Sequence, residues 1–114
     1  MALISEMRKA SGTGYGKRPD GSEKGSGYFG EIKRPDGGIS TELSTDVEID
    51  GKKYLIPTLV PTLSRNEVNH LISGAPPTKE ILDKAVRFSF DRMRQGKSPF
   101  AQKGEQVPLP REEK

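Results

Sequence analysis

Between Thr41 and Asp50 polar and apolar residues alternate. Leu43, Val47 and Ile49, with Thr45 among them, fall on one side of an extended strand. Glu42, Ser44, Asp46, Glu48 and Asp50 fall on the other, because successive strand side chains point to opposite faces. Asp50-Gly51 permits a tight reversal, and Lys52 to Val60 reads as the returning strand. Pro57 and Pro61 have no amide hydrogen to give a ladder, so this strand must lie at an edge or leave the sheet there. Five polar residues on one face predict that this face, Glu42 included, meets water.

After Leu63 the pattern changes to the helical period. Ser64 is an N-cap, Glu67 completes a capping box, and Leu63 and Val68 stand at the positions of a hydrophobic staple. Val68, Leu71 and Ile72 share one face, which predicts a short helix over 65–73, stopped by Gly74 and Pro76-Pro77. Thr78 caps a longer helix over 79–95. Its expected buried stripe is Leu82, Ala85, Val86, Phe90 and Met93, with Ile81 and Phe88 at the margins. Glu80/Lys84, Asp83/Arg87 and Arg87/Asp91 are spaced for ion pairs on its outer face.

The Gly- and Ser-rich stretch 11–27 predicts irregular chain, preceded by a short amphipathic run over 1–10. Lys-Arg-Pro-Asp-Gly occurs twice, at Lys17–Gly21 and at Lys33–Gly37. Each Pro-Asp-Gly is a turn: proline presets φ, aspartate bonds back to nearby amides, and glycine takes the positive φ that follows. The second copy joins a short strand at 28–33 to the one at 39–50, while the first, with little apolar flank, reads as a surface loop. The expected fold is α+β, a small antiparallel sheet of about three strands (28–33, 39–50, 52–60) with two helices on one face. Residues 1–26 form an extended, Gly-rich N-terminal arm and 27–96 the core. Residues 97–114 form an extended C-terminal arm, whose anchors are Phe100, Val107 and Leu109 and which is ordered only where something binds it.

Composition narrows the chemistry. Only 31% of the 114 residues are hydrophobic and tryptophan is absent, so the interior is small. Without cysteine the chain has neither disulfides nor thiolate chemistry. No run approaches the roughly 20 apolar residues of a membrane span, and Ala2-Leu3-Ile4 is too short for a signal peptide, which points to the cytosol. His70 is the sole histidine and sits where it can bond the last carbonyls of the first helix. Asp46–Gly51 resembles the start of a calcium loop, but the position that needs a bidentate glutamate holds Pro57. The glycines match no phosphate loop. No catalytic residue, cofactor or metal site is expected, so the chain reads as non-enzymatic. The net charge is +3, with the two signs interleaved. That disfavours nucleic acid as a partner, although Tyr15, Tyr28 and Phe29 beside Lys17, Arg18, Lys33 and Arg34 offer bases a place to stack.

Three stretches together, GYFGEIKRPDGGISTELS, VEIDGKKYLIPTLVPTLSRNEV and KAVRFSFDRMRQGKSPFA, resemble a small domain of tailed-bacteriophage proteins. That domain occurs as short open reading frames and inside large virion-associated proteins. The resemblance covers about residues 14–101 and is most specific at Ile56–Leu63 and Gly96–Ala101. Where such relatives often read TELSIGV, this chain has Thr45 and Asp46. The resemblance implies a virion context and transfers no catalytic residue. It implies a structural or accessory protein, in host cytoplasm during assembly and then in the particle, whose partners are other virion proteins or further copies of itself. The alternatives are a nucleic-acid-associated internal module and an accessory to a host-wall-degrading enzyme. Partner contacts are expected at aromatic or arginine residues on irregular chain: Tyr15, Tyr28, Phe29, Arg34 and Phe100.

Overall fold

A computed structural model describes residues 15–112. The short run expected over 1–10 lies outside the described residues. The elements are β1 (Ile32–Lys33), β2 (Ile39–Ser40), β3 (Ser44–Ile49), β4 (Lys52–Pro57), α1 (Arg65–Ile72) and α2 (Lys79–Arg94). They make an α+β fold.

The hairpin follows from the sequence. β3 and β4 pair antiparallel from Ser44 opposite Pro57 to Ile49 opposite Lys52. The connection is Asp50-Gly51, with φ of 53° and 79°. Two successive positive φ values give the turn whose twist matches that of paired strands. Tyr54 and Ile56 face the helices, and the Tyr54 ring meets that of Phe90 edge-on at 4.9 Å. Pro57 ends the ladder, and the Thr58 amide and hydroxyl then both donate to the Leu43 carbonyl, at 2.7 and 3.1 Å.

The sheet itself is divided. Among the described residues β1 pairs only with β2, and β3 only with β4, so the expected strand at 39–50 is two strands with Thr41–Leu43 stepping between ladders. The step packs against a glycine remote in sequence. Gly27 (φ +75°) lies so close to Thr41 that a Cβ there would sit 1.8 Å from the Thr41 carbonyl oxygen. Alternation does not survive such a step. Glu42, expected to face water with its neighbours, is buried, whereas Asp46 and Glu48 further along are exposed.

Both helix starts are as expected. The Ser64 hydroxyl accepts from the Glu67 amide, the Glu67 carboxylate accepts from the Ser64 amide, and Thr78 caps α2 through the Ile81 amide. The buried line of α2 is rotated from the expected one and runs through Ile81, Ala85 and Ser89. Leu82, Val86, Phe90 and Met93 are half-buried. The helix is covered on two flanks. Phe90 meets the hairpin at Tyr54, and Phe88 on the opposite flank packs edge-on against Tyr28 at 5.2 Å. The line between the flanks is therefore the deepest, and after Ile81 the small residues Ala85 and Ser89 occupy it. Lys84 reaches across to Glu67 of α1 (2.7 Å) rather than to Glu80, and Lys79 with Asp83 forms the i,i+4 pair. Ile56, Leu59, Val60, Leu63, Val68, Leu71, Ile72, Ile81 and Ala85, with Ile32, make the core.

Candidate partner-binding surface

The two Arg-Pro-Asp-Gly segments fold alike. In each, the arginine amide donates to the carbonyl four residues on (Arg18 to Ser22, 2.7 Å; Arg34 to Gly38, 2.8 Å), and the glycine amide returns to the arginine carbonyl. In each, the aspartate accepts from the amide two residues later, Asp20 from Ser22 and Asp36 from Gly38. Gly21 and Gly37 both adopt φ of 90°. Hydrogen bonds hold both carboxyls below the usual carboxylate range: the Ser22 hydroxyl and amide at Asp20, and the Gly38 amide and Arg34 at Asp36.

The two arginines diverge. Arg34 folds over its own turn, donating to Asp36, to the Ile39 carbonyl (2.9 Å) and to the Ser40 hydroxyl. Gly38 leaves room for it, since a Cβ there would lie 2.1 Å from Nη2. Arg18 instead grips the buried Glu42 with both prongs, Nε to Oε1 at 2.8 Å and Nη2 to Oε2 at 2.7 Å. The Gly25 amide adds a third donor at 2.9 Å. The guanidinium lies 4.0 Å above the Phe100 ring, so three separate segments meet at one ion pair.

The C-terminal segment lies against the body. Residues 97–112 carry no regular secondary structure, as expected of an extended arm, and the partner that orders them is the chain itself. Tyr28 Oη donates to the Pro99 carbonyl (2.6 Å), and the Val107 amide donates to the Tyr28 carbonyl (2.7 Å). Arg92 donates to Glu105 and to the Ser98 carbonyl, and Arg65 to the Pro110 carbonyl. Burial pushes the Tyr28 phenol up to about 12.

These bonds sort the five expected contact residues. Tyr28 (3% exposed) and Phe100 (6%) are interior, where they have no surface to offer a partner, and Phe29 is half-buried against the core. Tyr15 and Arg34 are brought together. They line a groove of about 370 Å³ with Lys24, Ile39, Ser40 and Leu43. Tyr15 donates to Glu31 (2.7 Å), a bond that raises its phenol above the ordinary value. Ile39 at the rim is 50% exposed, the more exposed of two large apolar side chains open to solvent among the described residues. A second depression, on the outer side of α2, is lined by Thr62, Glu80, Asp83, Lys84, Arg87, Phe88 and Asp91. There Asp83, Lys84 and Asp91 already hold ionic partners.

Glu42, Arg92 and Glu105 were not singled out in the sequence. Glu42 is concealed because the sequence continues back through it an alternation that the structure keeps only within β3, from Ser44 on, and the Arg92–Glu105 pair has no local spacing to reveal it. Both Glu42 oxygens are occupied by fixed donors, which suits a clasp and not proton transfer. His70 Nε2 bonds the Pro76 carbonyl (2.7 Å), tying α1 to the loop before α2. Among the described residues no group of three His, Asp or Glu side chains is placed to hold a metal ion, and no helix is long and apolar enough to cross a membrane. Comparison with protein-family models, curated proteins and solved structures found no match.

Proposed function

We propose that the protein is a non-enzymatic structural or accessory component of a tailed-phage particle, docking on neighbouring particle proteins through the groove of Tyr15, Arg34 and Ile39. The observation that carries this reading is an exposed isoleucine flanked by a tyrosine and an arginine, side chains of the kind that anchor protein interfaces. The phage setting is supported by the resemblance. One of its two most specific stretches, Ile56–Leu63, supplies Ile56, Leu59, Val60 and Leu63 to the core, so what such relatives would share is a scaffold. Stacking of nucleic-acid bases is disfavoured, because Tyr28 is interior and Arg18 and Lys17 are paired with Glu42 and Glu23.

The test is quantitative mass spectrometry of purified particles carrying the wild-type chain or Ile39→Asp. Ile39 is exposed, so the variant folds, as circular dichroism would verify. Incorporation of the wild type, with loss of about tenfold or more in the variant, is expected. A wild-type chain absent from particles, or a variant incorporated equally well, would overturn the reading.

A further inference from the structure

The C-terminal segment is tied down at separated points. Gln106 Nε2 donates to the Ser26 hydroxyl (2.9 Å) and the Gly27 carbonyl (3.1 Å), Val107 to the Tyr28 carbonyl, and the Pro110 carbonyl accepts from Arg65. Most of these ties end on backbone carbonyls. Leu109 packs half-buried on the core, and Val107 stays 37% exposed. The body thus presents a seat for an extended peptide, and its present occupant is held by hydrogen bonds more than by burial. Phe100 and Ala101 are buried, so release of the segment starts after them. The chain turns there: the Glu105 amide donates to the Gln102 carbonyl (3.0 Å), and Gly104 takes φ of 86°.

We propose that this seat also accepts the same segment from a second copy of the chain. The turn at Gln102–Glu105 opens, residues 106–112 cross to the neighbour, and the neighbour's segment returns. A two-fold pair results in which every bond of the seat is remade between chains, so no new complementary surface is needed. A short tether gives the cis segment an effective concentration on the order of millimolar, so dilute protein keeps its own segment and crowded copies exchange. The exchange deepens the docking reading above, on which it rests for its setting in a particle, by making one of the neighbours the chain itself.

The chain has no cysteine, which makes the test clean. The full chain carrying Ser26→Cys and Gln106→Cys is oxidised mildly, with and without Gly104→Val, as a mixture of isotopically light and heavy protein. A β-branched residue at φ of 86° disfavours the closed turn and shifts the balance about tenfold towards exchange. Expected are intramolecular cross-links in the dilute parent. In the Gly104→Val protein the expected product is a covalent dimer whose peptide at 26 is joined to the peptide at 106 of the other isotope. Only intramolecular links, or none, in the Gly104→Val protein at every concentration would overturn the exchange. That result, with the wild type still found in particles, would leave the docking reading standing. Exchange by a chain absent from particles would do the reverse.

Discussion

Glu42 shows what one buried carboxylate can join. Its partners come from the first turn, from Gly25 and, through Arg18, from Phe100. Replacing Glu42 with glutamine leaves the Arg18 guanidinium half-compensated with its side chain only 13% exposed. A loss of about 3 kcal/mol is expected, read as a lower urea midpoint at unchanged slope. Gly27→Ala tests the step beside it. Both the positive φ and the 1.8 Å approach to the Thr41 carbonyl oppose a methyl group, and a cost of about 2 kcal/mol or more is expected in the same assay. Neither residue could be read as special from the sequence. Glu42 belongs to an alternating run, and Gly27 is one of several glycines in an irregular stretch. What distinguishes them is contact between parts of the chain that are remote in sequence.

Elements built from neighbours were legible, and elements shaped by distant chain were not. The Asp50-Gly51 hairpin and the box of Ser64 and Glu67 close within a few residues, so local chemistry determines them. The division of the sheet goes with the close approach of remote Gly27 to Thr41, and the rotated face of α2 with Tyr28 and Tyr54 holding opposite flanks. Ser89 lies at the centre of that face, fully buried, with an Oγ that has no hydrogen-bond partner among the described residues. Ser89→Ala is therefore expected to stabilise the protein by about 1 kcal/mol, seen as a higher Tm. The α1–α2 junction depends on acidity. Burial pushes the Glu67 carboxyl up, but Lys84 and the Ser64 amide outweigh it and hold the group below its ordinary value. Its contribution is present above the ordinary carboxylate range and is lost as pH falls through the lower folded value. Glu67→Gln should flatten the acid limb of a stability-against-pH curve. A limb as steep as that of the wild type would assign acid sensitivity elsewhere.

For the molecule as a whole, the meagre hydrophobic content foretold a small interior. It did not foretell how polar chain would enlarge it. Residues beyond α2 looked like an arm awaiting a partner, because Phe100, Val107 and Leu109 are too few to anchor it by burial. The structure anchors it through Arg92, Arg65 and the carbonyls of Gly27 and Tyr28, for which hydropathy gives no signal. Of the expected contact residues, Tyr15 and Arg34 share a groove, while Tyr28 and Phe100 became part of the body. Truncation after Ala101 should uncover Tyr28 and remove the salt bridge of Arg92. The truncated chain is expected to melt several degrees lower, with faster hydrogen exchange across the last turns of α2.

The paired turns hold one more implication. Each closes on its own backbone and aspartate, so the loop keeps its shape whatever its arginine goes on to grasp. A module of this sort can be copied along a chain without a folding penalty, and the spare cation then put to whatever use its new surroundings offer. One copy has become an inward clasp on Glu42, and the other remains at the rim of an open groove. Both loops read Lys-Arg-Pro-Asp-Gly and both make the same bend, so the fate of each guanidinium is decided by address and not by wording.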